Sequence, residues 1–388
     1  MAKIVIAIDS FKGSLSSAEA GNTVAEAARQ VFPDSEASIY PLADGGEGTL
    51  EALVPAMQGQ IVPVKVTGPL GGKVQGRYGR FGDRAIIEMA DAAGLNLVPE
   101  EKRNPLHTTT YGVGETILAA AEAGCRHFLI GIGGSATNDC GLGMLQALGM
   151  EFLDAEGRPV GCCGGDLANI ASMRRGHLSP LLIGCDFQIA CDVKNPLYGP
   201  AGCSAVYGPQ KGATPEIVAQ MDASIKRFAA LAESQLGISG AEAPGAGAAG
   251  GLGFALAAFL GAELKPGVEL VLETLRIAEA LQGADIFITG EGRLDGQSVQ
   301  GKAPIGAAKL AKKVQPGIAV LAFCGCALPE AEMVNGHGID AYFPILQVPC
   351  DERKAMEADT ARSNLRSTAL QALRLVNTIK GRQQGTTL

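Results

Sequence analysis

At 388 residues, 47% hydrophobic and 19% charged, the chain is long and apolar enough for about two folded domains and unlike a disordered polypeptide. Its 40 acidic against 32 basic residues, a formal net charge of −8, argue against sequence-independent nucleic-acid binding, and with no Trp and 5% aromatics there is little to stack on bases. Ten cysteines without a C-x-x-C pair and four scattered histidines (His107, His127, His177, His337) give no zinc spacing, so free thiols in a reducing compartment are expected.

Helical and strand-like runs alternate almost throughout, which predicts an α/β chain with mainly parallel sheets. Residues 3–8, KIVIAI, read as a buried strand interrupted by Asp9, not as a signal sequence. DSFKGSLS follows directly, placing Asp9, Ser10 and Lys12 on the loop at a strand's carboxyl end, where open α/β sheets bind ligands. Ser16 with Glu19 forms a capping box, so a helix starts there and runs toward Phe32. A second strand ends over 39–42, and ADGGEGT brings Asp44 and Glu47 onto a glycine-rich turn before a helix at 49–57. Carboxylates so placed suit Mg²⁺ or proton transfer, or simply complement a helix dipole.

Residues 61–88 read as short strands with a hairpin turn at GPLGGK, and the change of pattern suggests a domain boundary near Gly71. NPLHTTTYGVGE leads into a helix ending at Gly124. The stretch HFLIGIGGSATNDCGLGMLQALG (127–149) then joins a buried strand to a glycine-rich turn. Ser135, Thr137, Asn138 and Asp139 stand as candidate N-caps of a helix carrying Leu142, Leu145 and Leu148. Such a turn offers backbone N–H groups and a positive helix end to an anion, so Gly133, Gly134, Ser135 and Asn138 are candidate phosphate contacts. GIGGSA also satisfies G-x-G-x-x-G/A, a weak signal in a chain with 53 glycines.

Two strands and a glycine- and proline-rich loop are expected over 181–213. There Asp192, Lys194 and Asn195 follow a strand end, and Gln210 and Lys211 mark a turn. Residues 214–236 form an amphipathic helix, and PGAGAAGGLGFALAAFL begins a mostly buried one. That segment holds the longest uncharged run, 246–262, too short and glycine-rich for a confident membrane span, so the cytoplasm is the expected location. ADIFITGEGRLDGQSVQGKAP is the second dense constellation: a strand over 286–289 runs into Gly290, Glu291, Arg293, Asp295 and Lys302 before a helix with Pro304 in its first turn. Gly296 to Lys302 spells G-x-x-x-x-G-K, but Ala303 replaces the Ser/Thr of a complete P-loop. Last strands are expected at 317–323 and 339–346, and a closing helix at 357–380.

The blocks DSFKGSLS, PLADGGEGT, YGVGE, IGIGGSATND, ACDVKNPLYG, GPQKGAT, PGAGAAGGLG and ITGEGRLDGQSVQGKAP together resemble the bacterial glycerate kinases that form 2-phosphoglycerate. Ile8 and Cys140 stand where Pro and Gly are more usual in that family. The resemblance implies ATP-dependent phosphorylation of D-glycerate, and two α/β domains. One is a discontinuous Rossmann- or flavodoxin-like domain (1–70 and 286–388); the other is an inserted α/β domain (71–285). The active-site cleft would lie between them. D-Glycerate and ATP are the implied small-molecule partners, without nucleic acid or membrane, and a homo-oligomer is left open.

Phosphoryl transfer is mostly positioning and charge neutralisation. On that basis Mg²⁺ is expected on Glu291 and Asp295, with Asp44 and Glu47 sharing the metal or contacting substrate. Lys12, Arg293 and Lys302 would neutralise phosphate or carboxylate charge, and Lys194 and Asn195 would hold the substrate. Gly133, Gly134, Ser135, Asn138 and Gly290 would cradle phosphate. Asp192 is the expected general base, with Asp9 in reserve. Two other readings remain at this point: an NAD(P)-dependent oxidoreductase of a small hydroxyacid using GIGGSA, and a non-catalytic nucleotide-binding module.

Overall fold

The computed structural model describes residues 2–296 and 298–385. In chain order the strands are β1 (Lys3–Ile8), β2 (Glu36–Ile39), β3 (Gln60–Thr67), β4 (Lys73–Phe81), β5 (Arg84–Glu88), β6 (His127–Gly131) and β7 (Glu151–Leu153). They continue with β8 (Ser172–Arg174), β9 (Asp186–Ala190), β10 (Glu263–Lys265), β11 (Ile286–Leu294), β12 (Ala319–Ala327) and β13 (Ala341–Pro344). The chain divides into two compact units, one of Met1–Asp44 with Val271–Leu388, the other of Gly45–Leu270.

The first unit is a parallel sheet of order β13-β12-β11-β1-β2. Helices cover both faces, so β1 is apolar and buried at every position after Lys3 rather than alternating. Ile4, Ile6 and Ile8 pack with Val24 of the helix Ser17–Val31 and with Leu365 and Leu373 of the helix Ala358–Gly385. The helix Ala303–Val314 packs against β1 and β11. The capping box is present: Glu19 N–H donates to Ser16 Oγ at 3.2 Å, and Ser16 N–H donates to the Glu19 carboxylate at 2.9 Å. From β1 the chain passes to β2 on one side, whereas β11, β12 and β13 build outward on the other. The β1/β11 junction is therefore the topological switch point, the place where such sheets open a ligand crevice at the strands' carboxyl ends.

The second unit holds a six-stranded sheet of order β10-β9-β6-β5-β4-β3, antiparallel at β3, β4 and β5 and parallel beyond, with β7 and β8 as a separate pair. Residues 45–70 belong here because β3 pairs along its full length with β4, and residues 271–285 belong to the first unit, where the helix Ile277–Leu281 packs on Ala303–Val314. The units thus change at 44/45 and 270/271, against expected boundaries of 70/71 and 285/286.

Other differences have local causes. Only β9 forms within 181–213, because Pro180–Leu182 turns into a short 3₁₀ segment. The buried helix after Pro244 is broken at Ala249, Gly250 and Gly251, all with positive φ. A side chain at Gly250 would collide with the Thr137 carbonyl. The glycines of this run thus serve close packing against the backbone of Thr137 and Cys140. Among the described residues no helix is long and apolar enough to cross a membrane, and all ten cysteines are free.

Candidate active site

The constellation around β1 and β11 gathers in the first unit. In the parallel ladder Ile8 sits opposite Gly290, and Asp9 N–H continues it to the Gly290 carbonyl at 2.9 Å. The next residues, Asp9 and Glu291, therefore emerge side by side at the carboxyl end. β11 runs on to Leu294 rather than stopping near Thr289, paired with β12 at Glu291–Cys324 and Arg293–Cys326, so two site residues stand on a strand and not on a loop. Gly290 lies inside that ladder, where any Cβ would strike the Phe323 carbonyl; its place is explained by strand spacing.

Asp9, Lys12, Asp44, Glu291, Arg293 and Lys302 all line one cavity of about 730 Å³. Lys12 projects from a tight turn in which Phe11 and Leu15 exchange backbone hydrogen bonds and Gly13 takes a φ of 79°. Its ammonium is 4.0 Å from Asp44. Glu291 is buried and accepts from Ser298 Oγ at 2.7 Å; Asp295, also buried, is 3.1 Å from Arg293 Nε. Lys302, the N-cap residue of Ala303–Val314, stands 3.6 Å from Glu291 and 3.5 Å from Asp295. Burial pushes the Asp9 carboxyl up to about 7. The Ser10 N–H and Lys12 oppose that shift, while the charges of Asp44 and Glu291 add to it. Burial also raises Glu291, against the Ser298 hydroxyl and Lys302.

The carboxylates here offer oxygen donors, which suit a hard divalent cation. Among the described residues no three His, Cys, Asp or Glu side chains converge as a cage. Mg²⁺ does not require one, since it is typically held by one or two carboxylates, waters and substrate phosphates. Glu291 and Asp295 fit that pattern.

The other expected site residues lie in the second unit. The Gly45–Gly48 turn packs against the carboxyl ends of β6 and β9: a Cβ at Gly131 would collide with the Gly45 carbonyl, and one at Gly45 with Ala190. Glu47, Gly133 and Gly134 are exposed there. Asp192 is exposed too, and its Oδ1 accepts from Gly267 N–H at 3.0 Å, capping the helix Gly267–Thr274. Lys194 is exposed. Asn195 braces its own loop, donating to the Ala201 carbonyl at 2.8 Å and accepting from the Tyr207 hydroxyl at 2.7 Å.

The SATND turn is built inward. Asp139 is fully buried and accepts from Thr110 N–H and Oγ1 at 2.8 and 2.7 Å and from Gly141 and Gly143 N–H at 3.2 and 3.3 Å. It thereby caps the short helix Leu142–Ala147, whose own N-cap, Gly141, has no side chain. Asn138 is also fully buried, its amide given to Ser204 Oγ at 2.8 Å. Only Gly133 and Gly134 of the turn are open, with Ser135 nearly covered.

Two residues escape sequence reasoning. Lys211 is buried, and its ammonium donates to Ser135 Oγ at 2.7 Å and to the Thr137 carbonyl at 2.6 Å; burial pushes it down to about 8. In the sequence it looks like a surface turn, PQKG. Glu88, ending β5, is buried and raised to about 7 by burial; its carboxylate accepts from Leu50 N–H at 2.7 Å and so caps the helix Thr49–Ala56, whose N-cap is Gly48. A lone acid closing an apolar strand was the available signal for it.

A model of the glycerate kinase family matches residues 4–377. Glycerate kinase of Haemophilus influenzae is 48% identical over 376 residues, 96% of this chain and 98% of that protein. Glycerate 2-kinase of Escherichia coli K12 is 48% identical over 346 residues, 89% and 90% of the two chains. The crystal structure of a candidate glycerate kinase 2 from Salmonella typhimurium LT2 has a TM-score of 0.89 and 45% identity, covering 99% of both chains. The oxidoreductase reading finds no support in these relatives, nor in the GIGGSA loop. A dinucleotide turn delivers its last glycine or alanine directly into a helix, whereas five residues separate Ala136 from the helix Leu142–Ala147. The chain belongs to the glycerate kinase family.

Proposed function

We propose that the protein transfers the γ-phosphoryl group of ATP to the 2-hydroxyl of D-glycerate, releasing ADP and 2-phosphoglycerate, and that the first-unit cavity handles the phosphates. The relatives named glycerate kinase and glycerate 2-kinase support the reaction. The observation that carries the site is the convergence of Asp9, Lys12, Asp44, Glu291, Arg293 and Lys302 on one cavity at the switch point.

In this reading Asp9 is the general base. It shares the cavity with three cations, and a carboxyl poised near 7 both accepts and gives up a proton at neutral pH. Asp9 takes the proton of the attacking hydroxyl as that oxygen bonds to phosphorus and the ADP oxygen leaves. Lys12, Arg293 and Lys302 offset charge on the transferred group and on the glycerate carboxylate. Glu291 and Asp295 would hold Mg²⁺, which supplies further neutralisation of phosphate charge. Asp44 orients Lys12.

ADP release measured with Mg-ATP tests the reading. The expected outcome is release that depends on D-glycerate, is lost on EDTA treatment and returns with added Mg²⁺. Release that ignores D-glycerate, or survives complete metal removal, would contradict it.

A further inference from the structure

We propose that the apolar lining of the first-unit cavity receives the base of an adenine nucleotide, with Asn364 as the residue that reads the base edge; this rests on the phosphoryl-transfer reading above. The cavity lining mixes two chemistries. Lys12, Arg293 and Lys302 stand among the acids Asp9, Asp44, Glu291 and Glu352, while Phe11, Ile345 and Ala361 supply buried apolar surface and Leu346 and Met356 stand 44% and 38% exposed. Large apolar side chains left open beside three cations suit a ligand that is a flat, weakly polar ring at one end and polyanionic at the other. D-Glycerate has no such ring; a nucleoside triphosphate does.

Local geometry brings the apolar and the charged residues side by side. Ile345 follows β13 and its N–H is held by the Cys324 carbonyl at 2.8 Å, opposite Glu291 in the sheet. The Met356 methyl lies over Gly13, next to Lys12 in the turn. A molecule lying along the sheet's carboxyl edge can thus meet apolar side chains and cations without leaving the unit. About 730 Å³ is within the range that encloses small ligands. Among the described lining residues Asn364 carries the one carboxamide, and that group can accept from adenine N6 and donate to N7 at once, a pairing guanine does not offer.

Calorimetric binding of ADP without glycerate, alongside steady-state kinetics with ATP, GTP and inorganic tripolyphosphate, tests this for the wild type, Met356→Glu and Asn364→Ala. Met356 is a rim residue, so Met356→Glu is expected to fold, which its thermal midpoint checks. The expected result is ADP binding weakened by about tenfold or more in Met356→Glu. The KM for D-glycerate stays within about twofold, and the advantage of ATP over tripolyphosphate shrinks. Asn364→Ala narrows the preference for ATP over GTP. Wild-type ADP affinity in folded Met356→Glu, or no ADP binding by the wild type, overturns the proposal. If ADP binds, weakens in Met356→Glu, and yet D-glycerate is never phosphorylated, the pocket stands and the glycerate reading fails.

Discussion

Asp9 concentrates the chemistry at the scale of single residues. Its carboxyl is raised to about 7, so the competent ionised form is present above that pH and lost below it. Turnover of the wild type should fall as pH drops through about 7, and Asp9→Asn should lower kcat by about 10²–10⁴-fold while removing that acidic limb. Near-wild-type turnover in Asp9→Asn, with loss instead in Asp192→Asn, would return the base to Asp192. Lys211 gives a stability prediction of known sign. Its native pKa of about 8 lies below the ordinary lysine value of 10.5, so between those values the unfolded chain binds more protons and stability rises with pH. The wild type should therefore gain on Lys211→Met between pH 8 and 10, by up to about 3 kcal/mol, in paired denaturation series. A flat difference would mean that Lys211 keeps its ordinary lysine pKa, and with it its charge, in the native state.

The charged members named at the site were legible because they crowd the carboxyl-end regions of β1, β2 and β11 and all but Asp9 stand next to a glycine, a position with few structural uses for charge. Asn138 read as a phosphate contact and Asp139 as a helix cap, and both turn inward. A carboxylate that caps its own helix and one that faces a ligand share residue type and spacing; only the direction of the side chain separates them. For Lys211 the failure runs the other way, since a buried ammonium needs carbonyl and hydroxyl partners 74 and 76 residues away in the chain.

Among the secondary-structure elements, those with a complete local signal were readable: β1, the boxed helix Ser17–Val31, the β3–β4 hairpin and the helix Pro215–Leu236 with Thr214 as its cap. Elements decided by distant partners were not. β11 extends to Leu294 because β12 pairs with it that far, and the break at 249–251 follows from the backbone of 137–140 lying against it. The same contrast predicts two stability costs. Ser16→Ala removes a cap and should cost about 1 kcal/mol. Gly290→Ala forces a methyl against the Phe323 carbonyl and should cost about 1–3 kcal/mol, read from urea midpoints. An unmoved midpoint for Gly290→Ala would show that the β11–β12 spacing can relax.

For the whole molecule, the resemblance of scattered blocks gave the family and the discontinuous first domain, because those blocks span both chain ends. The boundaries were less legible. The switch from βα units to hairpins near Gly71 looked like a domain edge, but the hairpin's first strand already belongs to the second unit's sheet. The apolar lining of the cavity was invisible, since Phe11, Ile345 and Met356 read in the sequence as ordinary apolar residues. What ties these scales together is the claim that this chain phosphorylates the 2-hydroxyl of D-glycerate at the β1/β11 junction. The direct test couples the reaction to enolase, without added mutase, for the wild type and Asp9→Asn. The account predicts an immediate enolase signal with Mg-ATP and D-glycerate that Asp9→Asn loses. ADP formation without an enolase signal would contradict the 2-position, and an undiminished signal in Asp9→Asn would contradict the site.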